Sequence, residues 1–584
     1  MKKSKEKNGA GKPPKPNVFS LLKPYKGMIT FLILFALLSN MVNLLLPRMI
    51  AHGIDDFTKG SFVFRTIIIE FVVASLIIFV FTYLQSIIQT YASERVARDI
   101  RTELSAKISR QSYAYIQQAN PSKLLTNLTS DIDSIKMFVA QAVVSIASSI
   151  FVIVGAIVLL LITNWRLALP VIAIIPIIGG GFFIVLRKVR SIFKVSREVI
   201  DWLNKVINES IMGAAIIRVL NSQHLEYNKF IDANTKAKSL GLSILKLFAT
   251  LIPIITFTAN IAALTILALG GHFVITGSMS LGNLAAFNSY LVILIFPIII
   301  IGFMSNIIAQ ATASYDRISQ VLEAHETVDP GTVTETLRGD INLKNVSVSY
   351  DDKPALKDVS ISIKAGTQIA VIGPTAAGKS QLLYLLTGLI MPSSGLIEFD
   401  GRNLDSYKKE SFHGQVGFVF QDSIIFNMSV RENIAFSKTV TDEFLEKAIE
   451  TAELRDFVDS LPEKLDTIVS ERGTSLSGGQ KQRIMLARAL AINPRILLLD
   501  DFTSRVDKKT EQTILCNLQK NYPDLTLISV TQRIASVKNF DQIILLMEGE
   551  VIASGKHKEL KETCPEYAQI YESQRSTSHY ELQS

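Results

Sequence analysis

IAVIGPTAAGKSQLLYLL, residues 369–386, decides how the second half of this chain folds. It opens on a short apolar run suited to a buried strand, passes through a Gly-Pro turn, and continues after Lys379 as a leucine-rich helical pattern. Such a strand, turn and helix N-terminus bring successive backbone N–H groups to one place, where they cradle phosphate oxygens. The G-x-x-x-x-G-K-S spacing at Gly373, Gly378, Lys379 and Ser380 adds a cation for β/γ charge and a hydroxyl for Mg²⁺. Pro374, Thr375, Ala376, Ala377 and Gln381 complete the loop, which reads as an ATP site. A second acidic strand end, RILLLDD (495–501), puts Asp500 where it would hold the Mg²⁺.

SLSGGQKQR (475–483) opens another helix after two glycines that let backbone approach a phosphate. Together with the phosphate loop and the acidic strand end, it resembles the nucleotide-binding domain of ABC transporters. The resemblance implies that Tyr350 stacks on adenine and that Gln421, in VFQD, reports on the γ-phosphate and Mg²⁺. It also implies that Ser477, Gly478, Gly479 and Gln480 contact nucleotide, and TIVSERG (467–473) is similar to a loop that exporters carry before this motif. In that family two such domains meet head to tail, each ATP lying between one phosphate loop and the other domain's LSGGQ helix. One chain then completes neither site.

The sequence departs from the family pattern where hydrolysis takes place. The family has Glu after the Mg²⁺-holding aspartate; here stands Asp501, one methylene shorter, and a displacement of about 1 Å can cost ~10²-fold in a positioned reaction. Where the family has His stands Gln532, whose amide can hydrogen-bond phosphate but cannot carry an imidazole's proton. Ala376 replaces a usual Gly, at a cost of about 1–2 kcal/mol if that position needs positive φ. Gln381 replaces a usual Thr, and SRVD (504–507) a usual SALD with Asp507 kept. Since LSGGQ is intact, the pattern implies a heterodimer. A second ABC half-transporter brings Glu and His to one active site, and this chain supplies that site's LSGGQ. Its own site hydrolyses slowly or not at all.

The first half is of another kind. Across 584 residues the apolar share is 48 %, more than a soluble enzyme of this length usually carries. Six apolar segments reach spanning length, at about 28–50, 66–92, 138–162, 166–187, 247–272 and 284–308. Lys and Arg concentrate on alternate connections: eight in 2–26, seven in 92–137 and eleven in 187–246, against one, one and none in 52–63, 163–166 and 271–283. That bias puts both termini in the cytoplasm of a multi-pass cell-membrane protein. The two long basic connections read as helical extensions turning near Asn120-Pro121 and Asn221-Ser222, with short crosswise helices at about 112–118 and 211–221. The family resemblance then covers the whole chain, an all-α six-helix transmembrane domain fused to an α/β P-loop domain, like an exporter half-transporter. The expected division is 1–27 tail and interfacial helix, 28–323 membrane domain, 324–339 linker, 340–575 nucleotide-binding domain and 576–584 tail.

The net charge of +8 does not indicate nucleic acid, because the basic residues interrupt apolar stretches instead of forming one domain. Cys516 and Cys564 read as two free thiols. Arg48, Arg65, Glu70 and Lys246 sit towards span ends, where snorkelling accounts for them. With no strongly charged cavity indicated, the substrate is a small apolar or amphipathic compound, a drug or a lipid. The competing readings are an ATP-regulated channel or regulatory subunit, and a soluble-type ABC ATPase, which the six spans disfavour.

Overall fold

The computed structural model describes residues 18–326, 330–350, 353–470, 473 and 475–581. The basic tail before Val18 lies outside them, as do Glu471 and Arg472 of the TIVSERG loop. The chain forms two compact units, Met1–Arg110 with Ala119–His325, and Gln111–Gln118 with Glu326–Ser584.

The first unit is helical. Among the described residues, five continuous runs are long and apolar enough to cross a membrane: Val18–Thr58, Phe64–Ser109, Pro121–Met212, Gln223–Ile275 and Leu281–Leu322. The third is 92 residues long, roughly 140 Å if straight, and contains two of the six expected spans. They separate at Asn164, whose φ of −160° and ψ of 103° are not helical. Its Oδ1 accepts from the N–H groups of Arg166 (3.1 Å) and Leu167 (3.2 Å) and so caps the next span. Val18–Tyr25 forms the short helix expected before the first span, as a 3-10 helix. Both expected turning points use an asparagine in the left-handed region, Asn120 at φ 64° and Asn221 at φ 51°. Short helices follow the expected pattern there, over Tyr113–Ala119 and Ala214–Val219.

Packing inside this unit is what a bilayer demands. The helix Phe64–Ser109 leaves Ile69, Val72, Leu76, Phe79 and Val80 exposed, a surface suited to lipid or protein and not to water. The apolar core gathers around Leu44, Ala156, Leu160, Leu167, Phe287 and Tyr290. Tyr290, 1 % exposed, donates from Oη to the Leu44 carbonyl at 2.9 Å, so its buried hydroxyl does not go unpaired. Where the last long helix starts, a Cβ on Gly282 would stand 2.0 Å from the Ala51 carbonyl oxygen, and Asp55 Oδ1 accepts the Gly282 N–H at 2.8 Å. At the other end, buried Asp131 accepts from Ser314 Oγ (2.9 Å) and from Arg317 Nε (2.9 Å), tying two distant parts of the chain.

The second unit is α/β. Its strands are β1 (Ile341–Tyr350), β2 (Lys353–Ile363), β3 (Gln368–Ile372), β4 (Ser394–Phe399), β5 (Arg402–Asn403), β6 (Val416–Val419), β7 (Ile496–Asp500), β8 (Thr526–Val530), β9 (Gln542–Met547) and β10 (Glu550–Gly555). They make an antiparallel sheet, β2-β1-β4-β5, and a mainly parallel one, β10-β9-β3-β8-β7-β6. The interior strands β7 and β8 are buried at every residue, as parallel strands covered on both faces must be. The segment 111–118 belongs to this unit: the Tyr113 ring meets Tyr384 edge-on at 5.7 Å, and Tyr384 meets Phe418 at 5.9 Å. Cys516 is exposed and Cys564 buried, and both are free.

Candidate functional site

The C-terminal ends of three neighbouring strands, β3, β7 and β8, lead directly into the phosphate loop, Asp501 and Gln532. Those loops enclose a cavity of about 650 Å³. It is lined by Thr375, Ala376, Ala377, Gly378, Lys379, Ser380, Gln381, Gln421, Asp500, Asp501 and Gln532, together with residues of two other loops.

The phosphate loop keeps its shape through two close approaches. A Cβ at Gly373 would stand 1.9 Å from the Leu546 carbonyl oxygen, and one at Gly378, whose φ is +96°, would stand 2.6 Å from that of Ala355. Ala376 adopts φ +65°, the left-handed region, so the alanine there carries a strain of about 1–2 kcal/mol that glycine would avoid. Lys379 is only 9 % exposed, and its Nζ donates to the carbonyls of Gly373 (2.9 Å) and Pro374 (2.7 Å). Burial lowers its pKa, opposed by the charges of Asp500 and Asp501. Those two carbonyls are weak partners for an ammonium that an anion could engage.

Asp500 ends β7 at 2 % exposure, and its Oδ2 has no hydrogen-bond partner among the described residues. Burial raises its pKa. A buried carboxylate oxygen left without a donor, in a cavity that also holds Ser380 and Gln421, fits a hard cation that takes oxygen ligands, as Mg²⁺ does. Asp501 is raised by burial and then by the neighbouring Asp500 charge. Its backbone sits at φ +49°, a conformation that Asp tolerates better than most residues.

Gln532 reaches the cavity from a loop with an unforeseen support. Gln574, on the last helix (Pro565–Glu581), donates from Nε2 to the Gln532 carbonyl at 2.5 Å and accepts the Ile534 N–H at Oε1, 3.0 Å away. That helix is itself anchored by the fully buried Tyr567, whose hydroxyl lies 2.7 Å from His557 Nδ1. Beside Gln532, Arg533 Nη1 lies 3.8 Å from the buried Glu511 carboxylate.

Tyr350 ends β1 outside the cavity lining, but its Oη donates to Gln381 Oε1 at 2.7 Å. Gly373 and Pro374 do not line the cavity either and border it through Lys379. The structure does not bring the LSGGQ residues into this cavity. Ser477 caps the helix Gly478–Ala491 in a reciprocal box with Gln480, and Gly478 and Gly479 lie under Arg505. A Cβ on Gly478 would stand 3.0 Å from Arg505 Cδ, and the Arg505 N–H donates to Gln482 Oε1 at 3.2 Å.

Sequence reasoning missed Pro354, Ala355, Lys357, Glu548 and Gly549, which also line the cavity. The Glu548-Gly549 pair, with both φ positive, is the β9–β10 turn, and that dipeptide between two apolar runs was the available signal. The β2 residues had none, since only the tertiary fold lays that strand against Gly378.

Comparison with known proteins agrees with this architecture. The sequence profile of the ABC transporter transmembrane region matches residues 29–298, and that of the ABC transporter nucleotide-binding part, described simply as ABC transporter, matches 356–504. The uncharacterized ABC transporter ATP-binding protein YfiB of Bacillus subtilis is 33 % identical over 565 residues, covering 95 % of this chain and 98 % of that protein. The probable multidrug resistance ABC transporter ATP-binding/permease protein YheI of the same organism is 28 % identical, with 95 % and 96 % covered. A bacterial Atm1-family ABC exporter solved with ATP bound has the same fold, with a TM-score of 0.76, 24 % identity, and 95 % and 99 % covered. With its helical membrane region and C-terminal α/β nucleotide-binding unit, this chain belongs to the ABC transporters.

Proposed function

We infer that this chain is one half of an ATP-driven exporter that moves apolar or amphipathic compounds, drugs or lipids, out across the cell membrane, and that it works as the degenerate-site subunit of a heterodimer. The observation that carries this reading is a separation: Ser477, Gly478, Gly479 and Gln480 stand apart from the cavity that collects the phosphate loop with Asp500, Asp501 and Gln532. A site whose parts lie apart in one chain needs a second domain, and the intact LSGGQ is what this chain offers it. The substrate class is supported by the apolar spans and by the name of the multidrug resistance relative. The Lys/Arg bias supports cytoplasmic termini.

In this reading Lys379 exchanges the carbonyls of Gly373 and Pro374 for β/γ-phosphate oxygens when ATP binds. Ser380, Gln421 and Asp500 hold Mg²⁺, which would neutralise charge developing on the phosphates. Tyr350 stacks on adenine from the rim. The backbone N–H groups from Thr375 to Gln381 orient the phosphate chain. Asp501, one methylene shorter than glutamate, reaches less far towards an attacking water, and Gln532 donates a hydrogen bond without moving a proton.

The test is ATPase activity of the purified full chain alone and together with a half-transporter that carries Glu and His at the corresponding positions, reconstituted in vesicles. Low activity alone, with ATP-dependent uptake against a gradient only in the pair, is expected. Robust ATPase activity of this chain alone would overturn the division of labour, and ATP-dependent flow that never exceeds equilibrium would mean a channel.

A further inference from the structure

We propose that the membrane unit carries a binding groove for an anionic phospholipid, between the helices Ile174–Met212 and Gln223–Thr265. The groove has a volume of about 460 Å³ and is open along one side. Lys188, Ser191 and Ile192 line it from the first helix, and Ser243, Lys246 and Leu247 from the second.

Its charge is not neutralised locally. Lys188 and Lys246 have no ion pair or hydrogen bond among the described residues. The ion pairs on these helices, Lys205–Glu209, Lys229–Glu226 and Lys236–Asp232, all lie ten or more residues towards the far ends. From Arg187 to Arg197 the sequence RKVRSIFKVSR holds five basic residues and no acid. The two serines add polar character beside the ammonium groups. Ser243 Oγ already donates to the Ser239 carbonyl, so the lysines carry the attraction for an anion.

Its level is equally informative. Arg187 and Lys188 follow the apolar stretch of their helix, and Lys246 directly precedes that of its own, so both lysines stand where hydrocarbon gives way to headgroups. Directly beyond the lysines on the membrane side, Phe182, Val185 and Leu251 are buried together, with Leu247 and Phe248 packed against them. The groove's own apolar lining is Ile192 and Leu247, the latter seated on that buried cluster, and a basic mouth beside partly exposed apolar side chains complements one kind of molecule, a phosphodiester headgroup with acyl chains attached. A soluble phosphate would meet only two screened lysines in an open groove and gain nothing from the apolar lining. This inference rests on membrane insertion alone and stands whether or not the chain pairs with a different partner.

The experiment measures phosphatidylglycerol and phosphatidylcholine retained by the full-length protein, by native mass spectrometry after exchange into neutral detergent with both lipids present. The K188Q/K246Q double variant should lose phosphatidylglycerol by about tenfold or more relative to phosphatidylcholine. R197Q, one basic residue fewer on the same helix but off the groove, should retain the wild-type ratio. Unchanged helix content and thermal unfolding of both variants in the same detergent establish that the membrane unit is folded. Wild-type retention in the double variant, or an equal loss in R197Q, overturns the proposal. So does glycerol phosphate displacing the lipid at equal concentration, which would make the groove a site for free phosphate.

Discussion

Tyr350 and Gln381 are joined by a 2.7 Å hydrogen bond from the phenol to the side-chain amide oxygen, across the rim of the phosphate cavity. Tyr350 is nearly half exposed, and the bond ties its ring to Gln381 at the start of the phosphate-loop helix. A single such bond is worth about 0.5–1.5 kcal/mol. Tyr350→Phe and Gln381→Thr should therefore each weaken ATP binding by about two- to tenfold. The double variant should be no worse than either single one, as a fluorescent-nucleotide titration would read. Additive losses would mean that the two side chains act separately on the nucleotide.

Asp501→Glu with Gln532→His should raise ATP turnover by about tenfold or more where a signature helix is supplied. Asp501 sits at φ +49°, which glutamate tolerates less well, so the same change should cost up to about 1 kcal/mol of stability. Calorimetry and phosphate release on one preparation check both signs. No rise in turnover would place the defect elsewhere.

Burial raises the pKa of both Asp500 and Asp501 in the folded chain. A carboxyl with a raised folded pKa binds its proton more tightly when folded, so it costs stability at neutral pH. The cost fades as pH falls through the folded pKa towards the ordinary carboxylate value. Asp501→Asn should thus stabilise the nucleotide-free protein at pH near 7, and the gain over wild type should shrink towards pH 4. Thermal unfolding at several pH values, read as a difference between the two proteins, decides it. Mg²⁺ with ATP should lessen the advantage by stabilising the carboxylate form.

The Asp131–Arg317 pair is asymmetric: the carboxylate is 4 % exposed and the guanidinium 45 %. Removing Arg317 strands a buried charge, whereas removing Asp131 leaves an arginine that can reach water. Arg317→Ala should consequently destabilise more than Asp131→Asn, by about 1–2 kcal/mol. Equal melting temperatures for the two would show that Asp131 finds another partner.

Gln574 holds the Gln532 loop by donating to one backbone group and accepting from another. Gln574→Glu keeps only the acceptor and Gln574→Ala keeps neither. Amide exchange at residues 531–536 should rise in steps across that series, by up to about tenfold per bond lost. Exchange that rises over the whole unit would indicate general destabilisation instead.

Much of this architecture was legible because its causes are local. The phosphate loop announced itself through glycines at fixed spacing, and the spans through length. The two turning points of the long basic connections showed as Asn120-Pro121 and Asn221-Ser222, both now seen to use left-handed asparagines. Ala376 was legible as a conditional strain, and its φ of +65° meets the condition. Other features depend on contacts between distant residues and left no local mark. Gln574 lies 42 residues from the carbonyl it holds, in a helix with no motif, and Asp131 meets an arginine 186 positions away. The π-helical turns at Asn127–Asp131, Phe138–Ala142 and Ile266–Gly270 were equally silent, since one extra residue in a turn does not disturb an apolar run.

Asn164 also sets how closely two spans are coupled. The two spans it separates meet at a single non-helical residue, so almost no free chain lies between them. The pair is therefore a tight helical hairpin whose relative placement is set at one residue, and lengthening the turn at Asn164 is the change that would loosen it.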